Sequence, residues 1–378
     1  MATNQVLIIS FWNPTEENPQ QGLFIQDQAA AICSLRENVV FLQVNVLFSK
    51  NLFLKKTIEE SAWHNNRRIV INIYTRLWKF WYVNPWVLAK VIYRVIKKLQ
   101  VEIKPEIIHS NVIFPCGVVG YLLAKKMGAK TMISEHWSKV EKLFRHPLYK
   151  RIALKTYREC FAIICVSEYL SNKIARVTNH PNVAIIPNII SNGLFTYLPK
   201  SLQDDSILSF MCVASWRPPK RLDLIVDALC NYALETNRQI ELKVVGKGPQ
   251  TEMIKTLEFP DNLHIEYLGY LDKKSIAALL QRTMVFLHAS ETETFSIVTA
   301  EALSTGTPVV ASKVGALPEL INEQNGILAE NRRESWLQAI REIASKKFDY
   351  EAIAMQNQMK FSPDTIGRSI ISIYDQKQ

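Results

Sequence analysis

The chain has 378 residues, 48% hydrophobic and 21% charged, with a mean hydropathy of −0.01. That composition excludes a disordered chain, the length favours two domains over one core, and no apolar run approaches the ~18 residues of a membrane span. The net charge of +10 is uneven: residues 1–200 carry 26 Lys+Arg against 12 Asp+Glu, and residues 201–378 carry 19 against 23, which suggests two units with different partners.

The N-terminus, MATNQVLIISFW, has no cationic region and no cleavage pattern, so it reads as a first strand and not a signal peptide. Strand-like runs follow at 39–42, 107–109, 131–134, 162–165 and 183–186. After a polar break near 198–206 the pattern restarts, at 208–214, 241–245, 265–268, 284–289 and 308–311. Helical periods lie between; Leu222, Ile225, Val226, Leu229 and Ala233 keep the i, i+3, i+4, i+7 spacing. Repeated strand–helix–strand units predict an α/β fold of two doubly wound parallel sheets, residues 1–200 and 201–360, with a hinge near 200. Ligands of such sheets bind beyond the carboxyl ends of strands. The cysteines at 33, 116, 160, 165, 212 and 230 make no metal-ligand spacing and read as buried thiols in a reducing cytosol.

Candidate motifs therefore sit just after strands. FWNPTEENPQQGLF places Gly22 before a helix, either as a plain turn or as a point of close backbone approach. His109 ends one strand, and Glu135 and His136 end the next; a lone His is either structural or faces the ligand cleft. RPPKR, with Arg217, Lys220 and Arg221, is either a charged turn or a phosphate grip. VVGKGP is a glycine-rich turn without the dinucleotide spacing. Tyr270 and Leu271 follow another strand. In ETETFSIVTAEAL, a loop carrying Glu293 enters a predicted helix over 295–304 that carries Glu301. A helix start offers free N–H groups to a phosphate. The two carboxylates are then acceptors for hydroxyls, or one stabilises the helix dipole while the other is an ordinary surface Glu.

ETFSIVTAEALSTGTPVVAS is similar to the E-x7-E signature of the retaining, nucleotide-sugar-dependent glycosyltransferases, family 4 in particular. KVGALPELI, NGIL, VVGKGP, VASWRPPKRLDLIVDAL and AIIPNII fall in that family's order and spacing, so the resemblance covers nearly the whole chain. It implies the GT-B fold: two Rossmann-like domains facing a cleft, an acceptor domain and a nucleotide-sugar domain, with a terminal helix (361–378) crossing back to the first. By the same resemblance Glu301 would bind the donor ribose and Glu293 the hydroxyls of the transferred sugar. Backbone at Phe295, Ser296 and Ile297 would meet the sugar or diphosphate. Lys220 would hold the diphosphate, and Arg217, or else Arg221, would replace an Arg that is here Ser215. Gly22 would let its loop approach the donor phosphates, Tyr270 and Leu271 would grip the base, and His136 would line the reaction centre. The family often has Gly at positions 296 and 316, where this chain has Ser and Ala.

The implied reaction transfers a sugar from a nucleoside diphosphate to an acceptor hydroxyl with retention, in polysaccharide or glycolipid synthesis. No metal or other cofactor is expected; Asp204–Asp205, the nearest thing to a metal motif, falls in the polar break. The alternatives are a sugar-nucleotide epimerase and a non-catalytic scaffold subunit. Residues 51–158 hold 21 Lys+Arg and 6 Asp+Glu. Within them Trp78, Phe80, Trp81, Tyr82 and Trp86 precede an apolar stripe from Val87 to Leu99, with Lys90, Arg94, Lys97 and Lys98 on the opposite face. That segment suits either packing on a sheet or docking on an anionic membrane. The expected location is cytoplasmic, peripheral on the inner membrane surface near a lipid-linked acceptor. No motif supports a nucleic-acid partner.

Overall fold

The apolar runs become strands of two sheets in a computed structural model, which describes residues 4–15, 21–50, 55–99, 102–137, 140–143, 145–190, 193–199 and 207–376. The chain divides into two units, 1–189 with 363–378, and 190–362. The division thus falls about ten residues before the polar break. Residues 16–20 of the Gly22 segment and the Asp204–Asp205 pair lie outside the described residues.

The first unit holds β1 (Val6–Ser10), β2 (Val39–Phe48), β3 (Lys55–Trp63), β4 (Asn66–Thr75), β5 (Ile107–Asn111), β6 (Lys130–Glu135), β7 (Ala162–Cys165) and β8 (Val183–Ile185). Their order is β3-β4-β2-β1-β5-β6-β7-β8, parallel except for the β3–β4 hairpin. Central strands covered on both faces must be apolar throughout. Leu7 and Ile9 pack on one face with Leu88, Val91, Ile92 and Val95 of the helix Pro85–Ile96. Val6 and Ile8 pack on the other with the helices Leu23–Leu35 and Pro363–Tyr374.

The apolar stripe of the basic segment is therefore core of this unit, with Lys90 and Arg94 on its solvated side. What stays exposed lies N-terminal to it. The short helix Trp78–Val83 buries none of its residues, and Leu77 (63% exposed), Trp78, Phe80 (53%), Val83 and Trp86 face outward. Phe48 is registered with Thr75 at the neighbouring strand ends and adds to this apolar end of the sheet. Among the described residues no helix is long and apolar enough to cross a membrane.

The second unit holds β9 (Ile207–Val213), β10 (Gln239–Val245), β11 (Leu263–Gly269), β12 (Val285–His288), β13 (Val309–Ser312) and β14 (Gly326–Ala329). All are parallel, in the order β11-β10-β9-β12-β13-β14. The chain starts at the centre, builds outward one way, then returns to build the other way. The reversal leaves a crevice beyond the carboxyl ends of β9 and β12, the usual ligand position of such sheets. The predicted stripe Leu222, Ile225, Val226, Leu229 and Ala233 is buried in this unit's core.

Two buried polar residues in the first unit are structural: His109, which lies in the middle of β5 and not at its end as the apolar pattern predicts, and Glu135, which ends β6. His109 Nδ1 lies 2.6 Å from the Tyr374 hydroxyl and Nε2 2.7 Å from the Ser134 hydroxyl, so both ring nitrogens are committed inside the core. Glu135 accepts from the backbone N–H of Ile113, His136 and Trp137 and from the Tyr157 hydroxyl, at 2.6–3.0 Å. It thereby pins the chain beyond Val112, a β-branched residue held at φ 66.

Burial lowers the His109 imidazole from 6.5 to about 3. Its unfolded form takes a proton that the folded form refuses, so its contribution to stability is complete above pH ~6.5 and is lost as the pH falls towards ~3. Lowering the pH from about 6.5 to 5 should cost about 2 kcal/mol through this residue. Urea unfolding of the wild type and His109→Gln across that range checks this; the variant should lose that part of the slope.

Candidate functional site

The second unit's switch point is flanked by two loops, one after β9 and one after β12, and the backbone joins them. Lys220 and Ser290 form an antiparallel bridge. The Arg221 N–H donates to the Ala289 carbonyl at 3.1 Å, and the Glu291 N–H to the Pro219 carbonyl at 2.8 Å. Behind the bridge, the Gln250 amide accepts from the Leu222 N–H at 3.0 Å and donates to the Lys220 carbonyl. Indole Nε1 of Trp216, itself fully buried, donates to the Val245 carbonyl at 2.8 Å and fixes the start of the first loop.

This splice brings Lys220 and Glu293 together. The Lys220 ammonium is ion-paired with Glu293 Oε1. His288, at the carboxyl end of β12 and 1% exposed, presents Nε2 to the same oxygen at 2.8 Å, to Lys220 Nζ at 3.3 Å and to the Ser296 hydroxyl at 3.2 Å. Burial, then the Lys220 charge, lowers the His288 imidazole, against the opposing pull of Glu293. Burial alone would raise Glu293, but the His288 hydrogen bond and the Lys220 ammonium outweigh it and hold the carboxyl well below the usual range. With His288 neutral, Lys220 is the cation of the group and Glu293 its anion.

The helix that follows spans Ile297–Ser304, two residues shorter at its start than the sequence pattern predicts. Ser296 is its N-cap residue at φ 75, the left-handed region that favours glycine, and its hydroxyl lies 2.8 Å from that of Thr299. The Phe295 ring is buried edge-on against Phe361, with centroids 5.6 Å apart, which leaves its backbone as the part that can meet a ligand. Glu301 is buried one turn into the helix, not on the surface. Gly315 (φ 58) lies under the Glu293 loop, where an added Cβ would come within 2.1 Å of the Glu293 carbonyl oxygen, and the Ala316 N–H donates to that oxygen at 3.0 Å.

The remaining predicted residues are more scattered. Arg221 is held by Asp223 at 2.7 Å, with Glu291 at 3.9 Å, whereas the Arg217 side chain is exposed. Tyr270 is 66% exposed, with Lys247 Nζ 5.8 Å from its ring centroid, and Leu271 is half-buried; the Gly246 N–H to Gly269 carbonyl bond, 2.6 Å, ties their strand end to the β10 turn. Gly22 and His136 stand in the first unit, beyond β1 and β6. Gly22 (φ 70) is the N-cap of the helix Leu23–Leu35, and a Cβ there would lie 2.0 Å from the Trp12 carbonyl oxygen. His136 is buried against the Phe24 ring at 4.7 Å, and burial, then the nearby His109, lowers it to about 3.

His288 is not among the sequence candidates, although it stands near the end of the predicted strand 284–289, five residues before Glu293.

Residues 51–192 match the family model Glycosyltransferase Family 4, and residues 208–346 match Glycosyl transferases group 1. An uncharacterized glycosyltransferase of Methanocaldococcus jannaschii is 29% identical over 229 residues, 60% of this chain and 61% of that protein. A human phosphatidylinositol N-acetylglucosaminyltransferase subunit is 28% identical over 249 residues, 62% of this chain. The chain thus spans 61% and 49% of the lengths of these two relatives. Among solved structures, Anabaena HepE in complex with UDP and glucose has a TM-score of 0.69 at 16% identity, covering 97% of this chain and 98% of its own. That likeness establishes the fold, the two Rossmann-like units of a GT-B protein.

Gly315→Ala should destabilise the protein by roughly 1–3 kcal/mol, since it adds a clash with the Glu293 backbone to a left-handed conformation. Gly128→Ala, at φ 71 with nothing within 4 Å, carries only the backbone penalty, about 1 kcal/mol. Urea unfolding of the two variants should separate them.

Proposed function

This chain belongs to the family 4, group 1 glycosyltransferases, and from that premise we propose that it transfers a sugar from a nucleoside-diphosphate sugar to an acceptor hydroxyl with retention of configuration. The observation that carries the reading is the pairing of Lys220 with Glu293 across the switch point of the second unit. A cation for a diphosphate and an anion for sugar hydroxyls stand side by side there, next to a helix start whose N–H groups favour phosphate.

The difficult step is departure of the anionic diphosphate from a carbon gaining oxocarbenium character. Lys220 and the backbone of Phe295, Ser296 and Ile297 stabilise the charge that builds on the leaving group. Arg217, with its exposed guanidinium, joins them in preference to Arg221, which Asp223 already engages. Glu293 accepts from hydroxyls of the transferred sugar, Glu301 from the ribose, and Tyr270 and Leu271 flank the base. Gly22 lets its loop approach the phosphates and His136 meets the sugar. The leaving phosphate helps deprotonate the acceptor on the same face, and the reading assigns no metal. Binding of UDP and glucose by HepE supports a nucleotide-sugar donor.

The acceptor in this reading is a glycan or glycolipid at the cytoplasmic face of a membrane. The name of the human relative, which belongs to a phosphatidylinositol glycosyltransferase, supports a lipid acceptor. So do the exposed Leu77, Trp78, Phe80, Val83 and Trp86, interleaved with Arg76 and Lys79, as interfacial anchors beside an anionic surface.

Glu293→Ala and Lys220→Ala should each lower acceptor-dependent release of nucleoside diphosphate about a hundredfold or more. Circular dichroism should show both variants folded; undiminished release in both overturns the site. An epimerase would turn over its nucleotide sugar without an acceptor. For the membrane, Trp78→Ser with Phe80→Ser should abolish sedimentation with phosphatidylglycerol vesicles at low salt. Equal binding of the wild type to phosphatidylcholine vesicles, or none to either, overturns that assignment.

A further inference from the structure

Two side chains converge on one oxygen of Glu293, and the donor-site reading uses only one of them. The side-chain hydrogen bonds of Glu293 fall on Oε1, which meets Lys220 and His288 together. Lys220 cannot serve a diphosphate and neutralise Glu293 at full strength at once, because each task needs its ammonium at contact distance. When Lys220 turns to phosphate, a largely shielded carboxylate loses its cation, which is costly unless a second donor takes over. His288 is that donor: it is already 2.8 Å away, fixed on the strand end, and buried. The Ser296 hydroxyl at 3.2 Å, itself beside Thr299, steadies the ring from the helix side.

We propose that His288 is a positioning residue that holds Glu293 in place when the donor's diphosphate draws Lys220 away, and that it takes up a proton from solvent as this happens. The inference rests on the donor-site reading of the second unit. Two charged groups face the imidazole: Lys220 from the loop after β9, and Glu293 from the loop after β12. Burial and, after it, the Lys220 charge disfavour a second cation there while Lys220 is paired with Glu293. Neutralising Lys220 with phosphate removes the repulsion and leaves the Glu293 carboxylate as the dominant neighbour, which favours imidazolium. The site then exchanges a Lys–Glu pair for a Lys–phosphate pair and a His–Glu pair. The liganded state holds more protons, so donor affinity rises as the pH falls through the neutral range.

Titration calorimetry with UDP and with GDP, in buffers of different ionisation enthalpy near pH 7, reads this directly. Whichever nucleotide binds should bring net uptake of a substantial fraction of one proton. His288→Gln keeps a donor at the same reach without titrating; it should bind the nucleotide without that uptake and keep most of the turnover. His288→Ala, which leaves Glu293 without a donor once Lys220 turns to phosphate, should raise the nucleotide Kd roughly tenfold and lower kcat roughly ten- to hundredfold. Binding to the wild type without proton uptake, uptake unchanged in His288→Gln, or full kcat in His288→Ala overturns the inference and leaves the donor site standing. If neither these two nucleotides nor inorganic pyrophosphate binds the wild type, the donor-site reading falls and this inference with it.

Discussion

The backbone bridge between Lys220 and Ser290 is the constraint on which the second unit's chemistry depends. Loops after two different strands have no reason to agree on where they put their side chains. Here they share hydrogen bonds on both sides of the bridge, so Lys220 and Glu293 are placed by one piece of structure. The pair is shielded, with side chains 21% and 13% exposed. In such surroundings the removal of one partner strands the charge of the other, which destabilises the site. Lys220 and Glu293 neutralise each other, so any anion that approaches Lys220 must compete with a carboxylate already in contact.

Ser296 shows how a departure from a family pattern is absorbed. The backbone there takes the left-handed conformation that glycine adopts freely, and the serine accepts a cost of about 1 kcal/mol to follow it. Its hydroxyl links His288 to Thr299, contacts that glycine cannot make. The Gly315–Ala316 turn beneath Glu293 divides the same labour. The glycine makes the close approach, and the alanine at 316 needs no special conformation, because its φ is −87. The second departure from the pattern is therefore sterically neutral.

Much of this was legible in the sequence, for physical reasons that differ by element. Central strands such as β1 and β13 are covered on both faces and had to be unbroken apolar runs. The stripe from Leu222 to Ala233 announced a helix because one face had a core to meet. The β3–β4 hairpin escaped notice. β3 is an exposed edge rich in charge, KKTIEESAW, and its two-residue turn is His64–Asn65, both at positive φ, in place of the Asn-Gly that usually marks such turns. β4 did carry a signal, the alternating burial of Ile69, Ile71 and Ile73. The amphipathic stripe from Val87 was ambiguous because a sheet and a bilayer demand the same periodicity, and only packing shows that the sheet claims it. Glu293 and Lys220 were readable one at a time, but their contact was not, since 73 residues and a strand crossing separate them.

The helix Pro363–Tyr374 carries a consequence for how the chain is made. It lies against the helix Leu23–Leu35, with Gly367 set against Leu35 and Ala31, and its Tyr374 closes the hydrogen bonds of His109. The first unit is therefore finished by residues that are made after the whole of the second unit. Domains generally fold in the order of synthesis, but here the N-terminal sheet emerges first with one flank uncovered. The second unit has all its strands in hand and completes its own core before the first can. Until then Ile8, Ile32 and their neighbours lack Ile366, Ile370 and Ile373, and the early part of the molecule is the part that waits.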